Sequence, residues 1–268
     1  MVNPLIQGLD SSTRLTMLTG GPGTGKSHII KEFKEFKKVK VTAPTGLSAY
    51  NIGGKTLNST LGVYQLKELN SKKNNGQLTQ TLLALLIDGY EYLLIDEAFM
   101  VDAETIDNII YSLKECNQLR GKRSQLGLIL VGDPAQIPPV KGRPTYESKF
   151  FNEFRVHKLT TNHRQKEDPQ WVEALQLARK GNIISFANAC HDLGLFRPKI
   201  DLAFEGLTII PTNKSCISFN KANTAIHRDK PKKFDGLKGS KGTSIIGNRK
   251  SLIDCFTYDK KALQLGLV

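Results

Sequence analysis

The chain has 268 residues, 39% of them hydrophobic, and a formal net charge of +13. Its length and apolar fraction suffice for one large packed domain or two smaller ones. No apolar run approaches the roughly 20 residues of a membrane span, and the start Met1-Val2-Asn3-Pro4 lacks the basic-then-apolar form of a secretory leader, so a cytoplasmic chain is expected. Cys116, Cys190, Cys216 and Cys255 stand too far apart for a zinc pattern, and the histidines form no H-x-x-x-H pair, so reduced thiols are expected rather than a metal centre built from them.

Leu15-Thr16-Met17-Leu18 is short and apolar enough for a buried strand, and Ile29, Ile30, Phe33 and Phe36 recur at helical spacing. Between them Gly20, Gly21, Pro22, Gly23, Thr24, Gly25, Lys26 and Ser27 match the phosphate-binding loop G-x-x-x-x-G-K-[ST], in the strand-to-helix setting that gives the pattern its meaning. The glycines let the backbone turn tightly, so that N–H groups and the positive end of the helix face phosphate oxygens. Lys26 is expected to reach the β- and γ-phosphates of a nucleoside triphosphate, and the Ser27 hydroxyl to ligate Mg²⁺.

Val39 to Ala43 reads as a second strand ending at Pro44, and Tyr92 to Ile95 as a third, apolar throughout as a central parallel strand should be. Asp102 caps a helix striped by Ile106, Ile109, Ile110 and Leu113, Leu126 to Val131 is a fourth strand ending in Gly132-Asp133, and Phe154 to Leu159 a fifth. Strand, crossover helix, strand is the signature of a parallel sheet covered by helices, with ligands at the carboxyl ends of strands. The expected fold class is therefore α/β. Asp96-Glu97 stand at such an end. Asp96 is placed to hold the Mg²⁺ shell and Glu97 to orient or deprotonate an attacking water; the plain alternative for an acidic pair there is a helix cap. Gln136, three residues after Asp133, is either a γ-phosphate sensor or an ordinary loop amide.

Asp168-Pro169 opens a further helix through Trp171, Ala174, Leu175 and Ala178 that Gly181 closes. Leu207 to Ile210 reads as a fresh strand, and Asn213 as the cap of a helix through Ile217, Phe219 and Ala222. Residues 1–165 thus read as one domain and residues 166–268 as the start of a second α/β domain. The basic excess suggests a polyanionic partner. About half of it lies in residues 205–268, however, and the segment 228–242, with Pro231, Gly236 and Gly239, reads as a solvated loop.

Taken in order, several stretches resemble the motifs of superfamily 1 DNA helicases, in the branch of the RecD, Dda and Pif-type enzymes. They are Gly20 to Ser27; Ala43-Pro44-Thr45-Gly46 with Asn51-Ile52-Gly53-Gly54-Lys55-Thr56-Leu57; Leu94-Ile95-Asp96-Glu97; Val131-Gly132-Asp133-Pro134-Ala135-Gln136-Ile137-Pro138-Pro139-Val140; and Asn162-His163-Arg164-Gln165. The matches cover residues 15 to 165 and extend thinly, through Pro211-Thr212-Asn213-Lys214, to about 225. The resemblance implies a RecA-like P-loop NTPase sheet, ATP with Mg²⁺, and 5′ to 3′ translocation on single-stranded DNA, with replication or repair proteins as further partners. Residue by residue, it implies that Pro44, Thr45, Thr56 and Ser59 contact the strand. It also implies that Gln136 senses the γ-phosphate, that Arg164 neutralises it, and that residues 58–85 or so form the small inserted element that separates strands. Read without the family, that insertion is a polar surface loop.

The departures are as specific. Asn58 stands where the family usually has a histidine among its DNA contacts. The stretch before the phosphate loop is too short for the usual adenine-reading glutamine, and Gln7 is a poor substitute. The later Gln-Gly and arginine motifs of a second motor domain are not found, and Leu263 to Val268 resembles the beginning of a strand that normally continues. The expectation is the amino-terminal part of a helicase; the alternative is a nucleotide- and DNA-binding module that does not unwind.

Overall fold

Six parallel strands carry the site in the computed structural model, which describes residues 4–10, 14–121, 124–164, 168–195, 213–226, 232–238 and 244–247. The expected strand at 207–210, and Gln165, Pro211, Thr212 and Leu263 to Val268, lie outside these residues. The strands are β1 (Leu15–Gly20), β2 (Val39–Ala43), β3 (Lys55–Thr56), β4 (Tyr92–Ile95), β5 (Gly127–Gly132) and β6 (Arg155–Leu159). They are arranged β3-β2-β4-β5-β1-β6, and every neighbouring pair is parallel. The α/β reading of the sequence is thereby borne out.

Alternation along each strand splits the core in two, because successive side chains of a strand point to opposite faces. On one face Leu15, Met17, Leu93, Ile95, Leu128 and Leu130 pack beneath α6 (Gln77–Ile87) and α7 (Ala103–Arg120). On the other, Leu18, Tyr92, Leu94, Ile129 and Val131 meet Ile29, Ile30 and Phe33 of α2 (Lys26–Phe36) and Ile6 and Leu9 of α1 (Pro4–Leu9). With both faces covered, β4 and β5 are apolar along their length, which made them readable, whereas β1 and β2 admit Thr16, Thr19, Lys40 and Thr42. Helix starts follow the same logic: the Asp102 carboxylate accepts from Thr105 N at 2.9 Å to cap α7, and Asp168 accepts from Trp171 N at 3.0 Å to cap α8 (Pro169–Arg179).

Two departures from the sequence reading stand out. The segment between β3 and β4 is helical rather than a loop: α4 (Leu57–Leu61), α5 (Leu66–Asn74) and α6, with α5 and α6 packed on α7. Leu69, Leu78 and Leu82 are buried there. The chain divides into two compact units, Met1–Cys190 and His191–Val268, with α8 and most of α9 (Ile183–Asp192) in the first. In the second unit α10 (Asn213–Ile226) begins at Asn213 itself, and the presumed solvated loop 228–242 contains β7 (Lys232–Lys238), paired antiparallel with β8 (Ser244–Gly247). The strand signal there, the β-branched pair Ile245-Ile246, lay outside the segment read as a loop. No helix among the described residues is long and apolar enough to cross a membrane.

At the amino end of β4 the fully buried Tyr92 ring meets Phe33 edge-on at 5.4 Å, and its hydroxyl donates to Asp10 and accepts from Arg14 at 3.0 Å. Lys37 reaches Asp10 at 2.9 Å and Glu91 at 3.1 Å. Burial alone would raise the Asp10 carboxyl, but the hydrogen bonds from Tyr92 and Lys37 outweigh it and hold the group below its ordinary value. A carboxylate with a depressed folded pKa stabilises above its unfolded pKa of about 4 and loses that contribution as pH falls through the folded value. Tyr92→Phe is expected to lower stability by about 1 kcal/mol near neutral pH. Urea titrations of both proteins should show the difference shrinking below about pH 4; a difference constant with pH would exclude this network as its source.

Candidate active site

The carboxyl ends of β1, β4, β5 and β6 bring together segments that are more than a hundred residues apart. Gly23 and Gly25 take φ of +74° and +90°, a region open to glycine and strained for side chains bearing a Cβ. Gly25 caps α2 without any side-chain bond, its carbonyl accepting from His28 N at 3.0 Å, and a helix start of this kind favours an anion. Lys26 folds back: its Nζ donates to the carbonyls of Gly20 at 2.7 Å and Gly21 at 2.9 Å. Burial lowers the Lys26 pKa, opposed by the charges of Asp133, Glu97 and Asp96. Thr24 is buried, with its hydroxyl on Gly21 O at 2.8 Å, and Ser27 is exposed in the first turn of α2.

Asp96 follows β4, is buried, and accepts from Glu97 N at 3.0 Å. Burial pushes its carboxyl up; burial and then the Asp96 charge do the same to Glu97. Glu97 has φ +50°, a left-handed conformation that costs a non-glycine residue on the order of 1–3 kcal/mol and clusters at functional sites. The Ser27 hydroxyl and the Asp96 carboxylate are oxygen donors, the hard type that Mg²⁺ takes beside phosphates and water.

After β5, Asp133 is almost wholly buried at 1% exposure. Its main-chain carbonyl accepts from Gln136 N at 3.0 Å, which leaves Gln136 half-buried at the edge of the loop. After β6, His163 N donates to Gly23 O at 2.7 Å, and Arg164 N to Asn162 Oδ1 at 3.0 Å. The Asn162-His163-Arg164 segment therefore lies directly on the phosphate loop, with the Arg164 side chain exposed. A cleft of about 220 Å³ opens beside it, lined among others by Gly21, Pro22, Asn162, Leu175 and Gln176.

The residues expected to contact a strand lie at the ends of β2 and β3. Pro44 is half-buried; Thr45 caps α3 (Gly46–Asn51), accepting from Ser48 N at 3.2 Å, and Thr56 caps α4, accepting from Ser59 N at 3.2 Å. Asn58 and Ser59 are exposed on α4, and Gln7 is exposed on α1.

One participant escaped the sequence reading. Arg179, at the last turn of α8, clasps Asp133 with both terminal guanidinium nitrogens, Nη1 to Oδ2 at 2.5 Å and Nη2 to Oδ1 at 2.9 Å. Burial would raise the Asp133 carboxyl, yet the Arg179 hydrogen bonds hold it below its usual value. Only the acid half of the pair left a trace in the sequence, a Gly-Asp at a strand end.

Comparison with known proteins extends these observations. The family model described as AAA domain matches residues 5–197. The ATP-dependent DNA helicase PIF1 of Saccharomyces cerevisiae is 32% identical over 188 residues, covering 62% of this chain and 21% of that one. The corresponding protein of Emericella nidulans is 28% identical over 279 residues, 93% of this chain and 36% of that one. Among solved structures, the Pif1 helicase from Candida albicans superposes with a TM-score of 0.62 at 27% identity, over 86% of this chain and 55% of that one. The chain thus spans well under two thirds of the length of each.

The seat of residues 162–164 on the loop gives a direct expectation. A Cβ on Gly23 would stand 2.7 Å from Arg164 Cβ and 2.8 Å from Asn162 Oδ1. Gly23→Ala should therefore destabilise the chain by roughly 1–3 kcal/mol through strain and displacement. It should also weaken nucleotide binding at least about tenfold, a loss of roughly 1.4 kcal/mol. Urea melts and calorimetry check both, and an unchanged affinity would contradict the packing of this segment on the loop.

Proposed function

The chain belongs to the AAA-domain family, and from that premise we propose that it is the nucleotide-binding motor unit of an ATP-dependent DNA helicase acting on single-stranded DNA. The observation that carries this reading is the hydrogen bond from His163 N to Gly23 O, which holds a cationic segment against the phosphate loop. The names of the relatives, ATP-dependent DNA helicases, support the same conclusion.

In this reading Lys26 leaves its two carbonyl partners for the β- and γ-phosphates of ATP. Ser27 and Asp96 hold Mg²⁺, which when bound neutralises charge on the phosphate oxygens. Glu97, already in a strained backbone conformation, orients the attacking water and takes its proton. Gln136 senses the γ-phosphate, and Arg164 swings its exposed guanidinium to the γ-phosphate oxygens. Pro44, Thr45, Thr56, Asn58 and Ser59 form the track for the DNA strand, whose 5′ to 3′ direction follows from the family resemblance. The protein partners of such a helicase are those of replication and repair.

Lys26→Ala is expected to abolish MgATP binding with the fold intact, as measured by calorimetry and circular dichroism. Glu97→Gln should bind MgATP within about threefold of wild type but hydrolyse it at least about a hundredfold more slowly, as loss of a general base does; equal turnover would remove Glu97 from the mechanism. Single-stranded DNA affinity should fall steeply between low and physiological salt. Strand displacement on a tailed duplex separates the two functional classes: ATP and DNA binding with no unwinding by any longer form of the protein would favour a binding module over a helicase.

A further inference from the structure

The Arg179–Asp133 pair lies beside the loop but has no part in the scheme above. Asp133 is 1% exposed and each carboxylate oxygen is engaged: Oδ2 by Arg179 Nη1, Oδ1 by Arg179 Nη2 and by Ala135 N at 3.1 Å. Among the charges acting on Lys26, that of Asp133 comes first. Even so, Lys26 rests on the carbonyls of Gly20 and Gly21 rather than on this acid. The guanidinium also lies on the loop itself, since a Cβ on Gly21 would stand 3.4 Å from Arg179 Nη1.

We infer that Arg179 is a positioning residue for the phosphate loop: by occupying the buried Asp133 carboxylate on both oxygens, it keeps that carboxylate from drawing Lys26 away from the phosphate path. The physical reason is the size of the alternative. A buried carboxylate stripped of its partner takes the nearest cation, and here the nearest loop cation is the one the triphosphate needs. A planar fork suits this task because it engages both oxygens at once. Delivery from α8 is secured by the Asp168 cap and by Ala174, buried beneath the helix. This inference rests on the reading of Lys26 as the phosphate-gripping residue.

The test is MgATP affinity by calorimetry on the 268-residue chain and on Arg179→Gln, Asp133→Asn and the double variant, each shown to be folded by thermal melting. Arg179→Gln should bind at least roughly tenfold more weakly, because it leaves the acid uncompensated. Asp133→Asn and the double variant should both stay within about threefold of wild type, because neither leaves a buried charge for Lys26 to answer. A pair that only braces the fold would shift the melting temperatures of the single variants and none of the affinities, which would overturn the inference. A double variant as weak as Arg179→Gln would overturn it in favour of direct phosphate contact by Arg179, and an Asp133→Asn as weak as Arg179→Gln would assign the role to the acid itself. If Arg179→Gln does not fold, Arg179→Lys takes its place: its single ammonium cannot engage both carboxylate oxygens as the fork does, so weaker MgATP binding is expected and wild-type affinity would overturn the inference. Wild-type chain that fails to bind MgATP would sink the nucleotide reading and this inference together, whereas binding with the wrong order of variants sinks the inference alone.

Discussion

The whole carboxyl edge of the sheet depends on β1 being hydrogen-bonded in parallel on both sides, to β5 and to β6. The register sets Thr19 opposite Gly132 and Gly20 opposite Leu159, so three chain segments leave the sheet at one level. The phosphate loop emerges in the middle, with Asp133 and Gln136 on one flank and Asn162 to Arg164 on the other. A slip of one residue in either pairing would invert every side chain of the slipped strand. It would bury polar groups against Leu128 or Ile129 and carry His163 off Gly23, so the two-sided core enforces the alignment of the site.

Within that frame, the charges of three carboxylates act on one lysine, and their environments differ. Burial raises Asp96 and Glu97, whereas Asp133, more deeply buried by exposed area, is held below its usual value because a guanidinium meets it. A partner rather than depth sets the direction. The lowered acid has its compensation built in, a guanidinium on both oxygens.

β4 was legible in the sequence because burial on two faces demands an unbroken apolar run, and Tyr92–Ile95 coincides with it; Val39–Ala43, which coincides with β2, carries Lys40 and Thr42 and was marked by its stop at Pro44. The Asp102 and Asp168 caps were legible because capping is local chemistry read within three residues. What escaped was non-local. β3 is two residues long and exists only because β2 lies beside it. The helices α5 and α6 looked like a polar insertion because Lys67, Lys72 and Lys73 outweigh Leu69 to the eye, while the leucines of α6 find their partner in α7. Arg179 and Asp133 are 46 residues apart, and neither carries a local sign of the other.

The seam between the inserted helices and α7 combines buried leucines with directed polar contacts: Asn70 donates to Glu104 at 2.8 Å, Asn108 to Asn70 at 2.5 Å, and Thr79 to Glu115 at 2.7 Å. Grease alone would let one helix slide over the other; the amide and carboxylate pins forbid it. Mechanically, α5, α6 and the 18-residue α7 make one stiff beam. The near end of that beam, at Asp102, is five residues from Glu97. The inserted helices are thereby fixed to the same helix whose start follows Glu97 after one short turn, Ala98–Met100.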